Sequence, residues 1–282
     1  MSDQVARTQV FAHWIREREA ARIRKENGDP PPWTRDPIIA AYRFCNVRRE
    51  DDRVTRWVKY QWRDPYHDHP NLTLAMAMAR FVNWPPALKE LGFPKRWDPE
   101  RFIKIMQGRK ARGDQCWNAA YMISTCGATR EKAEHVAAVL SRLANGHCSP
   151  LGGDTLEMAH GRLTRIFGLG NFLAAQIVAD LKHAHSNPLA KAQDWWFWAA
   201  PGPGSERGLR YWLGREKPVP NYEFLPRLTD LMLTVGPLVK DIGPLAAQDW
   251  QNVCCEVSKY VKAQAGGRPK QKYQSTAEAY TV

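Results

Sequence analysis

The sequence has no long apolar run and no phosphate-binding loop of the P-loop type. No window approaches the roughly eighteen apolar residues of a membrane-spanning helix, and the charged N-terminus lacks an apolar stretch of signal-peptide length. We therefore expect a protein that stays in the cytoplasm and has no membrane partner. The motif G-x-x-x-x-G-K-[ST] is also missing, which argues against a P-loop kinase.

Regular cysteine and metal-ligand patterns are missing as well. The 6 cysteines form neither a C-x-x-C pair nor a regular framework, so we interpret them as reduced thiols. His67 and His69 stand close together, but no further ligands follow at a metal-binding spacing, and we expect no metal site. No internal repeat is visible, and strand-like alternation is scarce.

Positive charge is what the sequence has in excess. Lys and Arg number 41 against 29 Asp and Glu, which gives a formal net charge of +12. This balance favours a polyanionic partner such as DNA, although a merely basic surface would give the same count. Arginine dominates the N-terminal part, and its planar guanidinium suits phosphate oxygens. The 12 tryptophans provide core residues and candidate base-stacking surfaces.

Hydrophobic periodicity predicts an all-α protein. The segments with helical spacing are 11–24, 38–44, 72–82, 99–107, 130–143, 156–166, 223–235 and 247–261. We expect a single helical domain over residues 1–262, with two helical lobes as the alternative and the hairpin at 156–183. Residues 263–282 are polar and weakly basic, which predicts a disordered tail.

Two of these helices meet at Gly168-Leu169-Gly170. Glycine permits a tight turn with positive φ, Asn171 is suited to cap the second helix, and the amides at its start suit a DNA phosphate. The pattern resembles the helix-hairpin-helix element of DNA glycosylases, in which an essential aspartate follows the hairpin. Asp194 lies close to that place. Phe172 stands where many bifunctional members carry a catalytic lysine, and this departure argues against base excision.

A second constellation spans residues 42–55. On a helix, Asn46, Arg49 and Arg53 would share one face, and Arg48 would pair with Asp52. A solvated helix with internal ion pairs explains this equally well. The alternative is functional: an amide beside Phe44 and backed by arginines has the chemistry needed to read a uracil-like edge while holding phosphate.

A third constellation begins at Gly202-Pro203-Gly204, which predicts a turn. Ser205 is suited to cap a following helix, and Arg207 and Arg210 lie one turn apart, so together they could hold a diphosphate. A simple glycine-rich connection is the alternative. Asp194 precedes this stretch beside Trp195, which could raise its pKa or wall a pocket. If Asp194 only caps a helix, its loss should cost about 1 kcal/mol.

Four motifs together carry a closer family resemblance. They are Pro32-Trp33-Thr34-Arg35-Asp36-Pro37, Phe44-Cys45-Asn46-Val47-Arg48-Arg49-Glu50-Asp51-Asp52-Arg53, Gly168-Leu169-Gly170-Asn171-Phe172 and Gly202-Pro203-Gly204-Ser205-Glu206-Arg207-Gly208. In this order they resemble the α-glutamyl/putrescinyl thymine pyrophosphorylases of bacteriophages, also called amino acid:DNA transferases. That family is similar to the helical domain attached to 5-hydroxymethyluracil DNA kinases. The resemblance implies a helix-hairpin-helix DNA glycosylase-like fold.

The resemblance also implies a reaction. In phage thymine hypermodification a kinase produces pyrophosphorylated 5-hydroxymethyluracil in DNA, and the transferase replaces pyrophosphate with an amine. The partners would be double-stranded DNA with modified thymine and an amine from glycine, glutamate or a polyamine. The enzyme would act as a monomer in the cytoplasm of the infected host. No cofactor is required, although Mg²⁺ could accompany pyrophosphate.

The candidate residues then take definite roles, on a base that leaves the stack. Asp194 would orient the amine and accept its proton, with Asp36 as a second acid or base, and Asn46 would read the pyrimidine edge. The residues expected to bind phosphate are Arg48, Arg49, Arg53, Arg207, Arg210 and Ser205, and those expected to stack on bases are Trp33, Phe44 and Trp195. A monofunctional DNA glycosylase and a non-catalytic DNA-binding module remain as alternatives.

Overall fold

The structure, a computed structural model, describes residues 3–118, 131–144 and 149–267. Within these residues it is all-α and contains no strand, which confirms the predicted fold class. The helices are α1 Asp3–Glu26, α2 Pro37–Ala41, α3 Arg53–Val58, α4 Leu72–Val82, α5 Pro85–Leu91, α6 Pro99–Ala111, α7 Lys132–Leu143, α8 Leu156–Thr164, α9 Asn171–Leu181, α10 Pro203–Leu213, α11 Asn221–Val235 and α12 Ala247–Gln264. Of the predicted tail, residues 268–282 lie outside the described residues.

The charged stretch within residues 42–55 is not one continuous helix. Asn46 is not helical, Arg48 is extended at φ −88 and ψ 134, and a short 3₁₀ turn, Arg49–Asp51, precedes α3. The backbone N–H of Asn46 donates to the Asp52 carboxylate at 2.9 Å, and this local side-chain acceptor replaces a helical carbonyl. The prediction that Asn46, Arg49 and Arg53 share a helical face is therefore wrong.

The chain divides into two compact units. Among the described residues, the first unit combines 3–52 with 196–267, and the second comprises the described residues between Arg53 and Trp195. The core of the first unit is built from the apolar faces of α1, α10, α11 and α12, with Trp14, Leu209, Leu228 and Val257 among its fully buried members. These faces repeat at helical spacing, which is the pattern that predicted the helices.

Small residues bring α10 and α12 close together. A Cβ atom built on Gly208 would overlap the backbone carbonyl of Cys254, and one built on Gly204 would overlap the side chain of Cys255. Because Gly204 and Gly208 lie one turn apart, they form a smooth groove into which α12 fits. Gly204 and Gly208 thus serve helix packing.

The second unit is organised around α4, whose eleven residues are all buried. Its Arg80 makes a bidentate ion pair with Asp180 of α9, with an Nε···Oδ2 distance of 2.5 Å. Arg80 also donates to the hydroxyl of Thr55 at 3.2 Å. A buried ion pair is tolerated only when its hydrogen-bonding groups are satisfied, and removing one partner is strongly destabilising. This pair therefore fixes how α9 lies against α4.

Candidate functional site

Asp36 lies at the centre of a buried hydrogen-bond network in the first unit. It caps α2, because its Oδ1 accepts from the backbone N–H of Ile38 at 2.8 Å and of Ile39 at 2.9 Å. Its Oδ2 accepts from the Tyr260 hydroxyl at 2.7 Å and pairs with His13 Nε2 at 2.8 Å. Burial alone would raise the pKa of Asp36, but these hydrogen bonds outweigh it and the pKa is lowered. Asp36 is thus an ionised carboxylate whose acceptor positions are filled.

A second layer supports this carboxylate. The hydroxyl of buried Thr34 accepts from the backbone N–H of Asp36 at 3.1 Å and donates to Glu17 at 2.8 Å. The hydrogen bond to Asp36 also raises the pKa of Tyr260, after burial as the larger cause, so this phenol remains a donor. The motif that begins at Pro32 therefore holds one carboxylate rigidly against α1 and α12.

Asn46 belongs to a separate polar network in the same unit. Its side-chain oxygen accepts from Arg18, and its amide nitrogen donates to the carbonyl of Asp51 at 2.7 Å. Its own carbonyl accepts from Asn252 at 2.9 Å. Both ends of the side chain are engaged in holding the loop, which is a positioning role and leaves the pyrimidine-reading role a prediction.

Asp52 is the ionisable group in this network that sequence reasoning missed as a candidate. Burial raises its pKa to about 6, the proximity of Glu256 adds to the rise, and the N–H of Asn46 together with Arg18 opposes it. The charge-dense stretch around Asp52 was visible in the sequence, but it suggested only a pair with Arg48. Perturbed acids of this kind mark functional sites more often than ordinary surface acids do.

The predicted phosphate-binding arginines differ in their surroundings. Arg48 donates to Glu19 at 3.1 Å and to the carbonyl of Ile242. Arg210 donates to the carbonyl of Glu216 at 3.0 Å and lies 3.4 Å from Glu206. Arg207 is exposed. Of these three arginines, Arg207 is the most exposed, whereas Arg48 and Arg210 are partly buried.

The remaining predicted arginines and Ser205 have other placements. The backbone of Arg49 donates to Asp249 at 3.2 Å, and Arg53 begins α3 in the second unit. Ser205 is buried at the third position of α10, where its hydroxyl bonds the N–H of Gly202 at 3.1 Å and the carbonyl of Gly202 at 3.0 Å. Gly202 is the N-cap residue, so Ser205 stabilises the first turn from inside the helix.

The three predicted stacking aromatics are all engaged within the protein. Phe44 is buried in the core, 6.0 Å from Trp14 between ring centroids, so the prediction that it stacks on a base is not supported by its position. Trp33 donates to the carbonyl of Asp29 at 2.7 Å and carries the Lys25 ammonium 5.1 Å above its ring. Trp195 donates to the carbonyl of Lys182 at 3.1 Å, and the ammonium of that lysine lies 3.9 Å from its ring.

Exposed aromatic surface occurs elsewhere in the first unit. Trp196 and Phe197 have 45% and 61% of their surfaces exposed. They belong to a run of four aromatic residues, 195–198, from which the sequence analysis selected only Trp195. The exposed pair is the better candidate for contact with bases.

Asp194 caps a helix in the second unit. Its Oδ1 accepts from the backbone N–H of Leu156 at 2.7 Å, and its Oδ2 accepts from that of Glu157 at 3.1 Å. Thr155 adds a third cap, because its hydroxyl accepts from Met158 N at 3.1 Å. A carboxylate at the N-terminus of α8 also interacts favourably with the positive end of the helix dipole. These contacts favour the structural role for Asp194 over the catalytic one.

The hairpin between α8 and α9 contains the positive-φ glycine that the sequence predicts. Gly168 has φ 92, and a Cβ there would overlap the side chain of Val139, so only glycine fits. Gly170 is the N-cap of α9 and Asn171 its first residue, which corrects the predicted capping by Asn171. Leu169 is buried and anchors the turn.

The tip of the hairpin presents apolar and basic groups to solvent. Phe167 and Phe172 are 64% and 50% exposed. Arg142 donates to the carbonyl of Phe167 at 2.7 Å and lies 5.5 Å from the centroid of its ring. Exposed rings, a guanidinium and the N-terminus of α9 together make a surface suited to a nucleic-acid backbone.

No three His, Cys, Asp or Glu side chains cluster as a metal site requires in the part of the chain that the structure describes. Among the same residues, no helix is long and apolar enough to cross a membrane.

Comparison with known proteins defines the class to which this fold and these motifs belong. The chain belongs to the family described as "5-hmdU DNA kinase, helical domain", whose model matches residues 5–267. A relative is the 5-hmdU DNA kinase of Bacillus phage SP10, which is 26% identical over 288 residues, covering 87% of this chain and 44% of the relative. The chain thus spans less than half the length of that relative. No solved structure matches the chain.

Proposed function

We propose that this chain is a transferase of phage thymine modification, which displaces pyrophosphate from 5-pyrophosphoryloxymethyl-deoxyuridine in DNA with an amine. The observation that carries the proposal is the family match over residues 5–267, which contains all four motifs of the transferase resemblance. The relative of phage SP10 is named for a kinase acting on 5-hmdU DNA, and the substrate proposed here is the product expected from such a kinase.

The reaction breaks one bond and forms another. The amine nitrogen attacks the exocyclic methylene, the C–O bond to pyrophosphate breaks with its electron pair on oxygen, and the amine loses a proton. Groups that stabilise charge on the departing pyrophosphate therefore accelerate the step. Arg207 and the exposed Arg35 and Arg43 of the first unit are assigned to it. Any Mg²⁺ would arrive with the pyrophosphate.

Roles in DNA binding are assigned to each unit separately. In the second unit, the hairpin with Phe167, Phe172 and Arg142 grips the DNA backbone. In the first unit, Trp196 and Phe197 contact the base, which must leave the stack for its methylene to be reached. The formal charge of +12 supports both contacts through counterion release. Arg49 and Arg53 remain candidates for phosphate.

The test is a transfer assay on the intact chain. DNA containing 5-hydroxymethyluracil is treated with a 5-hmdU DNA kinase and ATP, purified, and incubated with the chain and a pool of amines. Nucleosides are then analysed by mass spectrometry. A mass gain equal to an amine, with release of pyrophosphate, is the expected result. An Arg207→Gln variant should lower kcat, whereas Arg227→Gln, on α11 of the same unit, should not.

The rival functions give different products in the same assay. Abasic sites would identify a DNA glycosylase, and unchanged nucleosides with retained DNA binding would identify a binding module. Either result would contradict the proposed transfer.

A further inference from the structure

His13 stands out as a half-exposed histidine held by a buried carboxylate. Its side chain is 50% exposed, whereas that of Asp36 is 5% exposed, and the two are joined by the 2.8 Å contact between Nε2 and Oδ2. Asp36 in turn is fixed by Tyr260 and by two backbone N–H groups of α2. A half-exposed imidazole is therefore hydrogen-bonded to a buried carboxylate that is itself held by Tyr260 and by the start of α2.

The network determines which nitrogen of His13 carries the proton. Asp36 is ionised and accepts hydrogen bonds only, so the contact at Oδ2 requires Nε2 to be the donor. In the neutral ring the lone pair then lies on Nδ1. Nδ1 has no hydrogen-bond partner among the residues that the structure describes. The protein thus presents one basic nitrogen to solvent in a single tautomer.

The same contacts exclude Asp36 as the proton acceptor. Its oxygens already accept four hydrogen bonds, and its pKa is lowered below the ordinary value. A carboxylate in this position orients an imidazole and stabilises the imidazolium that forms when the ring takes a proton. The acid or base role that the sequence predicted for Asp36 is therefore better suited to His13.

We propose that His13 is the general base of this protein and that Asp36, Tyr260 and Thr34 are positioning residues for it. The proposal rests on the proposed transferase function. Nδ1 of His13 removes the proton from the amine as its nitrogen bonds to the methylene carbon, pyrophosphate leaves with the electron pair of the C–O bond, and the imidazolium releases its proton to solvent.

Activity measurements on variants test the role. His13→Gln should lower kcat about 10²-fold or more with little change in the KM for DNA, as for loss of a general base. Asp36→Asn keeps an oxygen to cap α2 but turns an amide donor toward Nε2, which forces the wrong tautomer and should lower kcat similarly. His67→Gln is the matched control. His67 pairs with the Ser186 hydroxyl at 2.6 Å in the second unit, and activity should be unchanged.

Two further measurements separate a chemical role from a structural one. Added imidazole should restore part of the activity of His13→Gly. Independently of activity, ¹⁵N chemical shifts of the His13 ring in the intact chain should report the Nε2–H tautomer, and those in Asp36→Asn should report Nδ1–H.

The outcomes distinguish this inference from the function on which it rests. An active wild-type chain with a fully active, folded His13→Gln variant would overturn the role of His13 and leave the transferase intact. The Nδ1–H tautomer in the wild-type ring would overturn it equally. A wild-type chain that transfers no amine would overturn the transferase and this role together.

Discussion

Replacement of Asp194 by asparagine decides between a helix cap and a catalytic base. The carboxylate accepts hydrogen bonds from the backbone N–H groups of Leu156 and Glu157 at 2.7 and 3.1 Å. These two residues begin α8, a helix of 9 residues. Asparagine retains one oxygen acceptor and removes the charge, so the loss should be about 1 kcal/mol of unfolding free energy. Alanine removes both acceptors, and we expect about 2 kcal/mol.

The assays are amide hydrogen exchange in α8, urea unfolding and kcat for amine transfer. For a cap, Asp194→Asn should lower protection throughout α8 and leave kcat of the folded protein unchanged. Thr155→Ala is the matched control, because it removes a different cap bond of the same helix and should cost about 1 kcal/mol.

One pattern would refute this reasoning. If Asp194→Asn unfolds at the same urea concentration as wild type and α8 keeps its protection, while kcat falls about 10²-fold or more, Asp194 acts in the chemistry.

Three other perturbations probe the polar network, the helix packing and the hairpin. Burial raises the pKa of Asp52 to about 6, so its contribution to stability is present at low pH and is lost as pH rises through about 6. Asp52→Asn should flatten that part of the curve of urea midpoint against pH, and an unchanged curve would contradict the assignment. Gly208→Ala should cost about 1–3 kcal/mol or more because α10 must move away from Cys254. Gly161→Ala, with nothing within 4 Å, should stabilise α8 by up to about 1 kcal/mol, and similar urea midpoints for the two variants would argue against the close packing. Phe172→Ala should weaken binding of duplex DNA about tenfold, whereas Leu233→Ala, 72% exposed on α11, should not; equal affinities in a fluorescence titration would remove the hairpin from the DNA interface.

Hydrophobic spacing predicted most of the helices, both those that bury one face, such as α12, and α4, which is buried on every side and is almost entirely apolar. The predicted segment 72–82 is α4 itself, and 247–261 lies within α12. An argument from the spacing of polar residues failed within residues 42–55, where it suggested a helical face of Asn46, Arg49 and Arg53. There the Asp52 carboxylate competes with the backbone for the N–H of Asn46, and such competition cannot be inferred from spacing.

The sequence also predicted backbone conformation where it depends on the residue type alone. Gly168 was expected to take positive φ, and it has φ 92. Gly202-Pro203-Gly204 was predicted to be a turn that helps to hold a diphosphate, but glycine is used both in turns and in close helix packing. The proximity of Cys254 on α12, distant in sequence, is what distinguishes the two uses.

By itself, the sequence determined the helical class, the position of the hairpin, the basic charge and the motifs that carry the family relationship, because these depend on local spacing and composition. The tertiary structure alone decided which polar residues are already engaged. In the sequence, Asp36 and Asp194 were both candidate acids or bases. The first is hydrogen-bonded to His13 and the second caps α8, and in both cases the partners come from distant parts of the chain. Chemistry of this kind depends on which groups fill an oxygen's lone pairs, and only packing brings those groups together.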